Sequence, residues 1–108
     1  MDYYDRDGQP ITMERWARLH ANMDYQRVAE DYVPDESGLR VSTIWLGLNH
    51  NFASGEPLAI FETRIFAARH SAGEAGDYLE RYATVEAARA GHDRAVMWAR
   101  EHWAKALP

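Results

Sequence analysis

Val41-Ser42-Thr43-Ile44-Trp45-Leu46-Gly47-Leu48, followed by Leu58-Ala59-Ile60-Phe61-Glu62-Thr63-Arg64-Ile65-Phe66, is the stretch that decides the fold. Both runs are rich in β-branched and aromatic residues, which suit a pleated, half-buried surface. A strand is predicted from Arg40 to Leu48. Ile44, Leu46 and Leu48 share one of its faces, and Val41, Thr43 and Trp45 share the other. Apolar groups on both faces predict an interior position in the sheet. A second strand is predicted from Leu58 to Phe66. The connection, Asn49 to Pro57, holds Gly55 and Pro57 and has the chemistry of a loop. A hairpin centred on Ala53 sets Trp45 opposite Phe61 and Leu46 opposite Ile60. Each such cross-strand pair stabilises a sheet by about 0.2–1 kcal/mol.

Towards the N-terminus, Pro34-Asp35-Glu36-Ser37-Gly38 is a turn signal. The segment before it, Tyr25 to Val33, fits either a helical stripe or an alternating strand. The strand is favoured because the run after the turn offers it a partner. Met13 to Met23 is expected to be helical, with Thr12 as N-cap and Trp16, Leu19 and Met23 on one stripe. Before it, Asp7-Gly8 predicts a tight turn flanked by Tyr3-Tyr4 and Pro10-Ile11.

Towards the C-terminus, Ala67 to Asp77 is expected to be a mobile loop and Tyr78 to Tyr82 a short last strand. Thr84 is a predicted N-cap for a helix from Val85 to about Leu107. Spaced at 100° per residue, Val85, Ala88, His92, Val96, Ala99, Trp103 and Leu107 gather on its buried side. Trp98 falls about 140° from that stripe, which leaves it either facing solvent or covered where the sheet or N-terminal hairpin wraps around. These elements predict one α+β domain over residues 1–108. Its expected architecture is an antiparallel β-meander of three to four strands with two α-helices packed on one face.

Composition limits the function classes. The 108 residues are 46% hydrophobic and 12% aromatic, enough for a real core. There is no cysteine, which rules out disulfides, thiolate metal sites and cysteine nucleophiles. No run approaches the ~20 apolar residues of a membrane span. The start Met1-Asp2-Tyr3-Tyr4-Asp5 is acidic and unlike a signal peptide, so a cytoplasmic location is expected. The net charge is −5 and the basic residues stand singly among acids. That pattern argues against a nucleic-acid partner, and its dispersal argues against a mimic of the phosphate ladder. All the basic residues except Lys105 are arginine, a usage typical of GC-rich coding.

The hairpin block, Val41 to Phe52 and Pro57 to Phe66, resembles a group of small proteins of unassigned function encoded by actinobacterial phages and prophages. Arg81-Tyr82-Ala83-Thr84, Ala88, Gly91-His92, Trp16 and the stretch Tyr4 to Ile11 also fit this resemblance. Asn49 stands where that group commonly has an aspartate before the histidine. The resemblance implies a phage-linked origin and the strand form of Tyr25 to Val33. It brings no catalytic residue with it.

Candidate chemistry is sparse. His50 at the hairpin tip and Glu62 in an apolar strand are the residue types for acid–base work, but the expected register sets Glu62 near Ile44, away from His50. Arg64 shares the face of Glu62, and the two are expected to form a buried polar pair. His20, His50, His70, His92 and His102 show no metal-binding spacing, and His92 is expected to be a hydrogen-bonded core residue. Asp5-Arg6-Asp7-Gly8 lacks the remaining ligands of a calcium loop. Gly47 and Gly55 form no phosphate loop, and Ser42, Ser54 and Ser71 lack a nucleophile elbow. No catalytic residue, metal or cofactor is therefore expected. The candidate interaction surface is Trp98 with Met97, and the loop residues His50, Asn51 and Phe52. The expected role is an accessory protein that binds a host or phage macromolecule, through a protein partner or self-association. Two alternatives are a structural homo-oligomer, and a ligand binder or hydrolase built on His50 and Glu62.

Overall fold

The computed structural model describes residues 2–49, 58–67 and 74–106. His50, Asn51 and Phe52, the predicted hairpin centre at Ala53 and the stripe residue Leu107 lie outside these. Two short strands, β1 (Tyr3–Tyr4) and β2 (Pro10–Ile11), pair in antiparallel fashion at the start of the chain. The Asp5 carboxylate folds the turn between them by accepting the N–H groups of Asp7 and Gln9.

Helix α1 (Met13–His20) begins at Thr12, whose hydroxyl accepts the Arg15 N–H at 3.1 Å. It stops earlier than the stripe through Met23 predicts. The Asn22 side chain accepts from Asp24 and Tyr25 and starts a separate turn, α2 (Met23–Gln26). That cap shortens the following strand as well: β3 runs from Arg27 to Val33.

The main sheet continues with β4 (Leu39–Trp45), β5 (Phe61–Ala67) and β6 (Glu74–Tyr82). Its order is β3-β4-β5-β6 with every pair antiparallel, a four-stranded meander. Trp45 stands opposite Phe61 and Ile44 opposite Glu62, as the hairpin reading predicts. Pairing continues past the strand ends, where the Leu46 N–H donates to the Ile60 carbonyl at 2.7 Å. β4 is interior, flanked by β3 and β5. β6 starts four residues before the predicted Tyr78. Its first half is polar and has no strand signal of its own, and it is held by the ladder to β5.

Helix α3 (Val85–Ala106) crosses one face of the sheet and contacts all four strands. The Thr84 hydroxyl caps it by accepting the Ala87 N–H at 3.1 Å. Against it lie Leu39, Val41, Ile65, Trp45 and Phe61, all at most 1% exposed. Each such side chain contributes about 1.5–3 kcal/mol by leaving water. The N-terminal elements close one end of this core. Tyr4, Ile11, Trp16, Leu19 and Tyr25 pack against the Trp45–Phe61–Tyr82 cluster. The Trp45 indole N–H donates to the Tyr4 carbonyl, and the Trp16 indole N–H to the Leu46 carbonyl, both at 3.0 Å.

The rotation of α3 corrects the predicted stripe. The seam facing the sheet is Ala88, Gly91, His92, Ala95 and Ala99, small residues apart from His92. Trp103, predicted to be buried, is 36% exposed. Trp98, off the predicted stripe, is half-buried beside Tyr78 and stacked on His102 at 4.5 Å. Large aromatics on the sheet fill the space beneath the helix, so the helix contributes its small residues there.

Candidate functional site

Every strand of the sheet contributes to a buried polar chain under α3. The Tyr82 hydroxyl donates to Thr63 Oγ1 at 2.9 Å. Thr63 Oγ1 and Thr43 Oγ1 lie 2.5 Å apart, and Thr43 Oγ1 lies 2.7 Å from His92 Nδ1. His92 Nε2 lies 2.7 Å from the Asp31 carboxylate. A carboxylate only accepts, so Nε2 carries hydrogen and donates to Asp31. In a neutral imidazole Nδ1 then accepts from Thr43, Thr43 accepts from Thr63, and Thr63 accepts from Tyr82. All the hydrogen bonds point one way, from Tyr82 to Asp31, and each group in the chain has a partner. Burial pushes the Tyr82 phenol up to about 12.

The link Asp31–His92–Thr43 has the connectivity of a catalytic triad but the opposite exposure. In a working triad the nucleophile meets substrate and the acid is buried. Here the Thr43 hydroxyl is fully buried, while the Asp31 side chain is 57% exposed. No substrate carbonyl reaches Thr43, so the arrangement holds β3 and α3 together and specifies their register. His92 is a hydrogen-bonded core residue, and neither the histidine nor the threonines announce their partners in the sequence.

The sheet's other face is different. Register assigns three rows to it. Tyr32, Arg40 and Phe66 form the first; Glu30, Ser42, Arg64 and Leu79 the second; Arg27, Ile44, Glu62 and Arg81 the third. Among the described residues no helix covers this face. Arg40 lies over the Phe66 ring at 4.4 Å and pairs with Glu30 at 3.6 Å. Glu62, 6% exposed, receives the Nε of Arg64 on one oxygen and of Arg81 on the other, each at 3.2 Å. Glu62 and Arg64 thus meet, and Arg81 is a third member that only the β5–β6 register reveals. With both oxygens engaged, Glu62 has the environment of a structural carboxylate rather than of a general base. Ser42, Ile44 and Phe66 line a shallow hollow here of about 230 Å³ with Arg40, Glu62 and Arg64.

Of the residues expected to form an interaction surface, Met97 and Trp98 are described. Met97 is 56% exposed, whereas Trp98 is half-buried and packs with Tyr78 against the core. His50, Asn51 and Phe52 lie outside the described residues. A second cleft of about 240 Å³ runs between β3 and α3, bordered by Asp31, Pro34, Val96, Arg100 and Trp103. Among the described residues no three His, Asp or Glu side chains converge to hold a metal ion, and no helix is long and apolar enough to cross a membrane. No family model, curated protein or solved structure matches the chain.

Proposed function

We propose that the chain is a binding protein without catalytic activity, which engages a macromolecular partner through the open face of its sheet. One observation carries this reading. A four-stranded sheet covered by α3 on one side presents Tyr32 and Leu79, 40% and 44% exposed, on the other, beside half-buried Ile44 and Phe66. Apolar and aromatic side chains set among arginines are the composition of a recognition surface. Among the described residues the buried polar groups are engaged with one another, while this face sets apolar and charged side chains next to each other in the open. The resemblance to phage and prophage proteins favours a host or phage macromolecule as the partner, met in the host cytoplasm.

Self-association is the second reading, favoured by β3 and β6, which among the described residues each pair along one edge only. Glu30 and Asp31 in the middle of β3 oppose it, because acidic residues blunt an edge strand against pairing with its copy. The reading that uses His50 and Glu62 as a hydrolytic pair has the least support, since two arginines already engage Glu62.

The test is capture of partners by the tagged chain from an actinobacterial lysate, in three forms: unaltered, Leu79→Asp, and Met97→Asp as a control on α3. A stoichiometric partner lost only with Leu79→Asp is the expected result. A partner lost with Met97→Asp and kept with Leu79→Asp contradicts the proposal. Concentration-dependent sedimentation without any partner favours self-association instead.

A further inference from the structure

On the open face, the register aligns three arginines. Arg40 stands across from Phe66, Arg64 from Ser42, and Arg81 from Glu62, one strand and one row further at each step. Arg40, Arg64 and Arg81 therefore form a diagonal stripe across β4, β5 and β6. The strand spacing of ~4.8 Å and the same-face repeat of ~6.7 Å put about 8 Å between successive members. Phe66 and Leu79 form a parallel apolar stripe beside it. With Arg27, this face carries four arginines against Glu30 and Glu62, and the register sets a third acid, Glu74, opposite Phe66. The arginines still outnumber the acids by one, in a chain whose net charge is −5. The charge is segregated in space, although along the sequence it is dispersed.

We infer that the partner of this face is an acidic, extended segment of another protein, with carboxylates at alternate positions that meet the arginine stripe. The inference rests on the binding role proposed above and adds the chemistry of the partner. Alternate side chains of an extended segment repeat every ~6.7 Å, close to the stripe's step and within the reach of flexible guanidinium groups. Phe66 and Leu79 give the same segment apolar contact. A nucleic acid fits less well, because Glu30 and Glu62 interleave with the arginines and the whole chain repels a polyanion. A second copy laid face to face would set one positive surplus against another.

The experiment is a titration of the ¹⁵N-labelled full chain with three probes. They are a synthetic peptide of alternating Glu and Val, its Lys-for-Glu counterpart, and an oligothymidylate, each at low and high salt. The Glu peptide is expected to shift the amides of Arg40, Arg64, Leu79 and Arg81, and the Lys peptide to leave them in place. Affinity for the Glu peptide should fall roughly five- to tenfold in Arg81→Glu, and likewise in the milder Arg81→Gln if the reversal perturbs folding; salt should weaken it further. Equal or tighter binding of the Lys peptide on this face overturns the acidic partner and leaves the docking face intact. Tighter binding of the oligothymidylate overturns it in favour of a nucleic acid. If no probe shifts any amide of the open face, both the inference and the binding role beneath it fail.

Discussion

The ring of Tyr82 occupies the place that a side chain on Gly91 would need. A β-carbon built on Gly91 overlaps the ring and hydroxyl of Tyr82 far inside van der Waals contact. The glycine sits in mid-helix, where it costs about 1 kcal/mol relative to alanine. It is what allows α3 to lie close enough for His92 to reach both Thr43 and Asp31. Gly91→Ala is therefore expected to destabilise the fold by about 2 kcal/mol despite the better helix former, because overpacking outweighs propensity. Urea denaturation measures this, and unchanged or increased stability would refute the packing argument. In Gly91→Ala with Tyr82→Leu the two losses should be less than additive, since the smaller side chain vacates the same space.

The one-way hydrogen-bond chain makes its two threonines interdependent. Thr63→Val leaves the Tyr82 hydroxyl without its acceptor and Thr43 without its donor, at an expected cost of about 1–3 kcal/mol. Thr43→Val strands His92 Nδ1 in the same way. The double variant should lose less than the sum, because the shared bond can be lost only once. A long-range ¹H–¹⁵N spectrum should also show hydrogen on His92 Nε2 and none on Nδ1. The opposite tautomer would reverse the chain and refute this account.

Much of the fold is legible in the sequence for plain reasons. Trp45 and Phe61 announce their strands by type and spacing, and Thr12 and Thr84 announce their helices by capping. The Trp45-Leu46-Gly47 run has a local explanation too. Gly47 has a positive φ of 75°, and a β-carbon there would come within 2.6 Å of the Trp16 indole. Its carbonyl also receives the Tyr4 N–H. The rotation of α3 is not legible, because hydrophobicity weights Trp103 above the Ala88–Ala95–Ala99 seam that the crowded sheet selects. The open face is half legible. Glu62 and Arg64 stand out by alternation, but Arg81 and the arginine diagonal exist only once the β5–β6 register is known.

Tyr82 gives the fold a defined alkaline limit. Its phenol is raised from about 10 to about 12, chiefly by burial. The folded state thus holds a proton that the unfolded chain releases from pH 10 upward. This contribution to stability is complete below pH 10, declines as pH rises through the window, and is exhausted above 12. Two pKa units correspond to about 3 kcal/mol. Urea midpoints should fall across pH 10–12, and Tyr82→Phe, less stable at neutral pH, should show a shallower decline. Tyr78 is also raised, by burial and by Glu80 beside it, so a residual slope is expected in that variant. An identical slope in both proteins would contradict the assignment.

Glu62 is the remaining point at which structure and recognition meet. Its two ion pairs bridge neighbouring positions on β5 and the adjacent β6, and Arg64 and Arg81 are each about one-third exposed, 33%. Solvent weakens the attraction on the arginine side, so the Glu62–Arg81 coupling is expected to be about 1 kcal/mol in a cycle of Glu62→Gln and Arg81→Gln. Glu62→Ala should be more costly, about 2 kcal/mol, because it removes the shared acceptor and leaves two guanidinium groups side by side. The same substitution should strengthen binding of the alternating Glu–Val peptide, since it frees positive charge on the face. A loss of stability with weaker peptide binding would show that the carboxylate holds the arginines in place for recognition, rather than competing with the ligand for them.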